Sequence, residues 1–166
     1  MAAITSKPAG NIILAQDFAI ESSSQRYPLG IEIPCDDGCV YQYALAAEAL
    51  TGQSYVIWQN GTAGSWSLAT ETLALTGGIG GVVATNAAVT NAYYFWACVV
   101  KPNSVSPGLG IRTDASVAAS INLKVSGTAG QLVDGTATEV VVLSGVGLRT
   151  ATGGSAATNT ACWFDR

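Results

Sequence analysis

The chain has 166 residues, 49% of them hydrophobic and only 11% charged, against roughly 25% charged in ordinary soluble domains. Seven Lys and Arg against eleven Asp and Glu give a net charge of −4. Lys7, Arg26, Lys101, Arg112, Lys124, Arg149 and Arg166 stand apart along the chain, so no basic cluster is on hand to neutralise phosphates and the sequence argues against a nucleic-acid partner.

Residues 1–26 read as an N-terminal arm. They are mostly polar and turn-prone, with Pro8, Gly10 and Ser22-Ser23-Ser24 around one apolar patch of Ile12, Ile13, Leu14, Phe18 and Ile20. The stretch from Ile12 to Ile20 is broken by Asp17 and has no basic region ahead of it, so neither a membrane anchor nor a signal peptide is expected. No apolar run in the chain reaches the ~18 residues of a membrane span.

From Tyr27 onward, short alternating or apolar runs are punctuated by Gly, Pro, Asn and Asp every ten residues or so, the pattern of an all-β sandwich or barrel. The expected strands are Gly30 to Cys35, Val40 to Leu45, Tyr55 to Gln59, Ser65 to Ala69, Gly81 to Ala84 and Tyr93 to Lys101. They continue with Ile121 to Val125, Gln131 to Val133, Glu139 to Gly147 and Ala161 to Phe164. Between the first two, Asp36-Asp37-Gly38 fits a three-residue hairpin loop, a type I turn with Gly38 in the left-handed position. Ala44 to Leu50 has helix-forming composition, enough for one or two turns. Gln59-Asn60-Gly61-Thr62 fits a type I′ turn, whose central residues both need positive φ. Gly77 to Gly81 lacks the Gly spacing and Lys-Ser/Thr of a phosphate loop and reads as a connection between strands. In Tyr93-Tyr94-Phe95-Trp96, alternation puts Tyr93 and Phe95 on one face and Tyr94 and Trp96 on the other, as in a strand covered on both sides. Lys101 to Gly110 is the clearest linker. It divides an N-terminal β half, residues 27–100, from a C-terminal one, residues 111–166, and the two are expected to form one compact unit.

Chemistry-bearing residues are sparse. Histidine is absent, which removes the commonest general base and metal ligand. The adjacent acids Asp36 and Asp37 lie in a turn, and no nucleophile-elbow, P-loop or Ser-x-x-Lys motif occurs. No catalytic residue, cofactor site or metal site is assigned, and an enzyme is not expected. Cys35 and Cys39 face each other where the strands leave the Asp-Asp-Gly turn. They can be plain thiols, a disulfide staple or, with a second pair, metal ligands. Cys98 and Cys162 lie far apart, near Trp96 and beside Trp163, as buried core cysteines do. Four Trp and six Tyr leave a carbohydrate-binding module open, because aromatic faces stack on sugar rings.

Tyr27-Pro28-Leu29-Gly30, the Asp-Asp-Gly turn and Val40-Tyr41-Gln42-Tyr43 resemble the N-terminal part of small, high-copy virion proteins of tailed bacteriophages. So do Tyr94-Phe95-Trp96, Ser116 to Ala119, Ser126 to Asp134, the apolar run Val140 to Gly147 and Gly153 to Ala157, so the likeness spans about residues 27–166. These are turn and strand patterns rather than chemical signatures, and the cysteines flanking the turn depart from the family pattern. The resemblance implies a structural head protein, a capsid decoration or cement protein. Its partners would be the major capsid protein and copies of itself, as a homotrimer, on the outer surface of a virion assembled in the host cytoplasm. The low surface charge suits such packing against copies, and Ile12, Ile13, Leu14 and Phe18 are the candidate interface residues. Other virion parts, a tail or fibre component, are the alternative within the same class.

Overall fold

The computed structural model describes residues 15–36, 38–60, 64–70, 72, 80–102, 109–114, 117, 123–134, 146–148, 158–160 and 162–164. The fold is all-β. After a short 3-10 helix, Ala15–Ala19, come β1 (Glu32–Pro34), β2 (Val40–Ala46), β3 (Val56–Gln59), β4 (Ser65–Leu68), β5 (Gly80–Val83) and β6 (Tyr94–Val100). Then follow β7 (Ile111–Thr113), β8 (Leu123–Val125), β9 (Leu132–Asp134), β10 (Val146–Leu148), β11 (Thr158–Thr160) and β12 (Cys162–Phe164).

Five strands close a barrel in the order β2-β4-β3-β5-β6, with β6 returning to β2. An odd number of strands cannot alternate direction all the way around a ring, so one pairing must be parallel. That pairing is β2 with β4, through Leu45 opposite Ser65 and Ala46 opposite Trp66. The closing pair is antiparallel and long, from Val40 opposite Val100 to Leu45 opposite Tyr94, with a bulge next to Val99. β1 adds to the free half of β2. Cys35 N donates to the Cys39 carbonyl, so within β1 the neighbouring Pro34 turns its missing N–H to the open edge, where a proline disturbs no ladder and discourages further strand addition.

A ring of five strands has little room inside, and its inward residues are accordingly small. Ala44, Ala46, Ile57, Val83, Ala97 and Val99 line it, and Trp66 and Phe95 fill it, all of them buried. Gly81 has no space for a side chain, since a Cβ there would lie 2.8 Å from the Cys98 carbonyl oxygen. The outward face of the same strands carries Tyr41, Tyr43, Val56, Val82, Trp96 and Cys98, which form a second core with Phe18, Leu109, Ile111, Val117, Leu123, Val125 and Leu132. That core is roofed by a four-stranded sheet, β11-β7-β9-β8. Val56 N donates to the Gly130 carbonyl and Gly130 N to the Ala69 carbonyl, at 2.8 and 2.9 Å, tying the roof to the barrel. β10 and β12 pair separately.

The barrel lies wholly before residue 101 and the roof wholly after residue 110, so the sheets divide where the sequence places its linker. The described ends of that linker pack down: Lys101 and Leu109 are both buried, and one core crosses the boundary.

Three local expectations are corrected. Ala44 to Leu50 forms no helix; Ala44 and Ala46 belong to β2 because the barrel interior needs small residues there, and that tertiary demand overrides helix propensity. The β3–β4 connection is not a two-residue type I′ turn. Gln59 pairs with Trp66 and Asn60 N donates to the Ser65 carbonyl at 2.8 Å, so the loop is longer and it is Gly64, at φ +77°, that takes the left-handed conformation. Gly80, placed in the connection, instead begins the strand expected from Gly81, and its bare backbone lies under the Trp58 ring, which stands 2.6 Å from where a Cβ would be. β7 and β11 are additional to the expected strands, and of Glu139 to Gly147 only the end, in β10, falls within the described residues.

Candidate functional site: the aromatic face that holds the N-terminal segment

The outward row of β2 and β6 is aromatic because the strands alternate, and residues 17–31 lie across it. Phe18 is fully buried, stacked on Tyr41 with ring centroids 4.4 Å apart and edge-on to Trp96 at 5.2 Å. Such aromatic pairs add about 0.5–1.5 kcal/mol to the burial itself. Backbone bonds fix the segment along its length. Asn86 N donates to the Ala19 carbonyl at 3.1 Å, and Ser22 and Tyr94 exchange N–H···O bonds of 2.9 and 2.8 Å. Ser22 thereby occupies the edge of β6 where β5 has ended. The Glu21 carboxylate accepts from the Thr90 N–H and, at 3.0 Å, from its hydroxyl.

Tyr27-Pro28-Leu29-Gly30 then turns the chain into β1. Ile31 N donates to the Pro28 carbonyl at 3.2 Å, and Gly30 supplies the positive φ, +79°, that the turn's third residue requires. Tyr27 stands edge-on to Tyr43 at 5.2 Å and tilted against Trp96 at 5.4 Å. The Tyr43 ring stacks on Tyr94 at 5.9 Å, and its hydroxyl accepts a 3.1 Å bond from Arg26 N. Burial pushes the Tyr43 phenol above its ordinary value of 10.0, with the Arg26 bond pulling the other way. All three exposed large hydrophobics among the described residues, Ile20, Leu29 and Ile31, belong to this same stretch.

The CDDGC hairpin closes with its glycine left-handed, as read from sequence. Gly38 N donates to the Cys35 carbonyl at 3.0 Å, Cys35 N to the Cys39 carbonyl at 2.8 Å, and Gly38 is left-handed at φ +80°. Cys35, Cys39 and Cys98 are present as buried thiols in the outward core. Among the described residues, no group of three His, Cys, Asp or Glu is close enough to hold a metal ion.

The candidate interface residues separate. Ile12, Ile13 and Leu14 lie outside the described residues. Phe18 is given over to its own chain, because Tyr41 and Trp96 present a flat apolar surface within reach of it, and it is not available to a neighbour. Sequence reasoning missed the Glu21–Thr90 clamp and the exposure of Leu29 and Ile31; no local motif signals either. Of the four Trp that leave a carbohydrate-binding module open, Trp66 is enclosed in the barrel at 0% exposure. No protein family, curated protein or solved structure matches this chain.

Proposed function

We propose that the protein is a structural component of a tailed-phage virion, a decoration protein that binds the outer surface of the capsid and stabilises the shell by bridging major capsid subunits. The observation that carries the reading is the anchoring of the N-terminal segment at Phe18 on a closed β body. Phe18 lies four residues after the Ile12-Ile13-Leu14 patch of the sequence, so the patch is covalently tied to a fixed point on the body. A clamp needs this division between a rigid body and a tethered apolar segment, and repeated weak contacts on a lattice gain from effective concentration. The low charge, the absence of a basic cluster and the resemblance over residues 27–166 support the same reading, as do the exposed Ile20, Leu29 and Ile31. The carbohydrate-binding alternative is weakened, because Trp66 is enclosed and Trp58 lies over Gly80.

The test compares full-length protein with a chain lacking residues 1–14 for occupancy of expanded, undecorated heads. The truncated chain, which keeps Phe18, is expected to fold by circular dichroism and to occupy far fewer sites. Equal occupancy would sink the clamp, and failure of the full-length protein to bind any head would sink the decoration reading.

A further inference from the structure

We propose that Cys35 and Cys39 form a reversible disulfide that staples the β1–β2 hairpin, making this tip a redox-responsive modification site. The inference stands on the hairpin geometry and does not depend on the virion reading. β1 and β2 pair in register through Glu32 opposite Gln42, Ile33 opposite Tyr41 and Pro34 opposite Val40, which puts Cys35 opposite Cys39. Residues opposite each other in an antiparallel pair point to the same face, and both cysteines belong to the same buried cluster. Cys35 N donates to the Cys39 carbonyl at 2.8 Å, and Gly38 N donates back to the Cys35 carbonyl at 3.0 Å, the bulged closing pair that a left-handed glycine makes at a hairpin end. Opposite residues hold Cα atoms about 5.5 Å apart, inside the roughly 4.4–6.8 Å that a disulfide spans, and Cβ atoms about 4.5–5.5 Å apart, so closing the bridge takes an inward shift of about 1 Å at the tip.

Cys98 is the competing partner, and register disfavours it. It lies opposite Tyr41, hence diagonal to Cys39; diagonal neighbours stand roughly 7–8 Å apart, their Cβ atoms somewhat less, farther than the about 4.5–5.5 Å of an opposite pair and well beyond the about 3.5–4.5 Å a disulfide needs. The tip is also held in place from outside the hairpin: a Cβ on Gly38 would lie 2.9 Å from Cγ of Pro102. Both sulfurs are well covered, yet Asp36 and Gly38 between them are exposed, so a small opening of the tip admits a small oxidant. The oxidant is a low-molecular-weight disulfide such as oxidised glutathione. One cysteine thiolate attacks it and expels one reduced thiol; the other cysteine then displaces the second from the mixed disulfide. In sum the two thiols give up two protons and two electrons, and the oxidant becomes two thiols. The bond would lock β1, a three-residue edge strand, onto β2.

The full-length protein is equilibrated under native conditions in glutathione buffers running from reducing to oxidising, quenched with acid, alkylated and peptide-mapped. The expected result is a single two-electron transition yielding one intrachain Cys35–Cys39 bridge, a mass lower by about 2 Da and full reversal by dithiothreitol. A Cys98→Ala variant should titrate in the same way; should it not fold, the wild-type map alone decides. Alkylation of both Cys35 and Cys39 at every redox poise, a glutathione adduct that never resolves, or a bridge using Cys98 or Cys162 would each overturn the proposal.

Discussion

On the inward side of β2 and β6 stand Ala44, Ala46, Phe95, Ala97 and Val99; on the outward side of the same two strands stand Tyr41, Tyr43, Tyr94, Trp96 and Cys98. The inward set is mostly small and is buried by closure of the ring alone. The outward set is mostly aromatic and is buried only because residues 17–31 and the roof sheet are laid over it. One face is thus self-sufficient, and the other depends on segments that join it from elsewhere in the chain. The barrel and its cover should therefore respond differently to damage.

The largest effect should come from inside. Trp66→Ala empties the main filler of a ring too narrow to collapse around the gap, and a loss of about 3–5 kcal/mol is expected, as for other large-to-small core changes. Denaturant unfolding followed by tryptophan fluorescence and by circular dichroism should shift together. Cover that survived while the barrel melted would break the comparison.

Phe18→Ala should cost less, near the lower end of the about 3–5 kcal/mol of such changes because the covering segment can settle into the gap, and its signature should be local. Limited proteolysis is expected to cut within residues 15–26 while the barrel stays folded. Cooperative loss of the whole fold would mean that cover and barrel are one unit.

Tyr43 sharpens the same contrast by pH. Its phenol titrates above 10.0 in the fold because of burial. Below pH 10 both folded and unfolded chains keep the proton and the fold loses nothing. As pH rises past 10 the unfolded chain ionises first, so stability falls through the raised folded value. Tyr43→Phe should remove that share of the alkaline loss. Near neutral pH it should cost about 0.5–1.5 kcal/mol, because Arg26 N loses its acceptor. An unchanged alkaline profile by thermal melts from pH 8 to 11 would show that the outward face is more open than its packing implies.

What could be read from sequence was what local chemistry decides. Asp36-Asp37-Gly38 dictated its own hairpin, and the alternation in Tyr93 to Trp96 placed Phe95 and Trp96 on opposite buried faces. The boundary between barrel and roof lay where KPNSVSPGLG interrupts the strand pattern. What escaped was what distant partners decide. Ala44 to Leu50 prefers a helix in isolation, and its first three residues become strand only because β4 and β6 flank them. Asn60-Gly61 promises a tight turn that the pairing of Gln59 with Trp66 overrules. Gly80 looks like a loop residue until the Trp58 ring is seen to lie over it. For the site, Phe18 reads from sequence as an interface residue, and nothing in its neighbourhood tells of Tyr41 and Trp96, which bury it within its own chain from two remote strands.

The closing pair of the ring has a consequence for synthesis. β2 leaves the ribosome early, whereas β6, its principal partner, begins only at Tyr94. At ordinary translation speeds the intervening stretch takes on the order of several seconds to appear. During that interval the β1–β2 and β3–β4 hairpins can form, since their contacts are local, but the ring stays open and Tyr41 and Tyr43 remain uncovered. Long-range pairing of this kind slows folding and prolongs exposure of strand edges. The nascent chain is therefore most prone to aggregation just before the Tyr94–Val100 strand emerges, and a pause in translation there would lengthen the hazard.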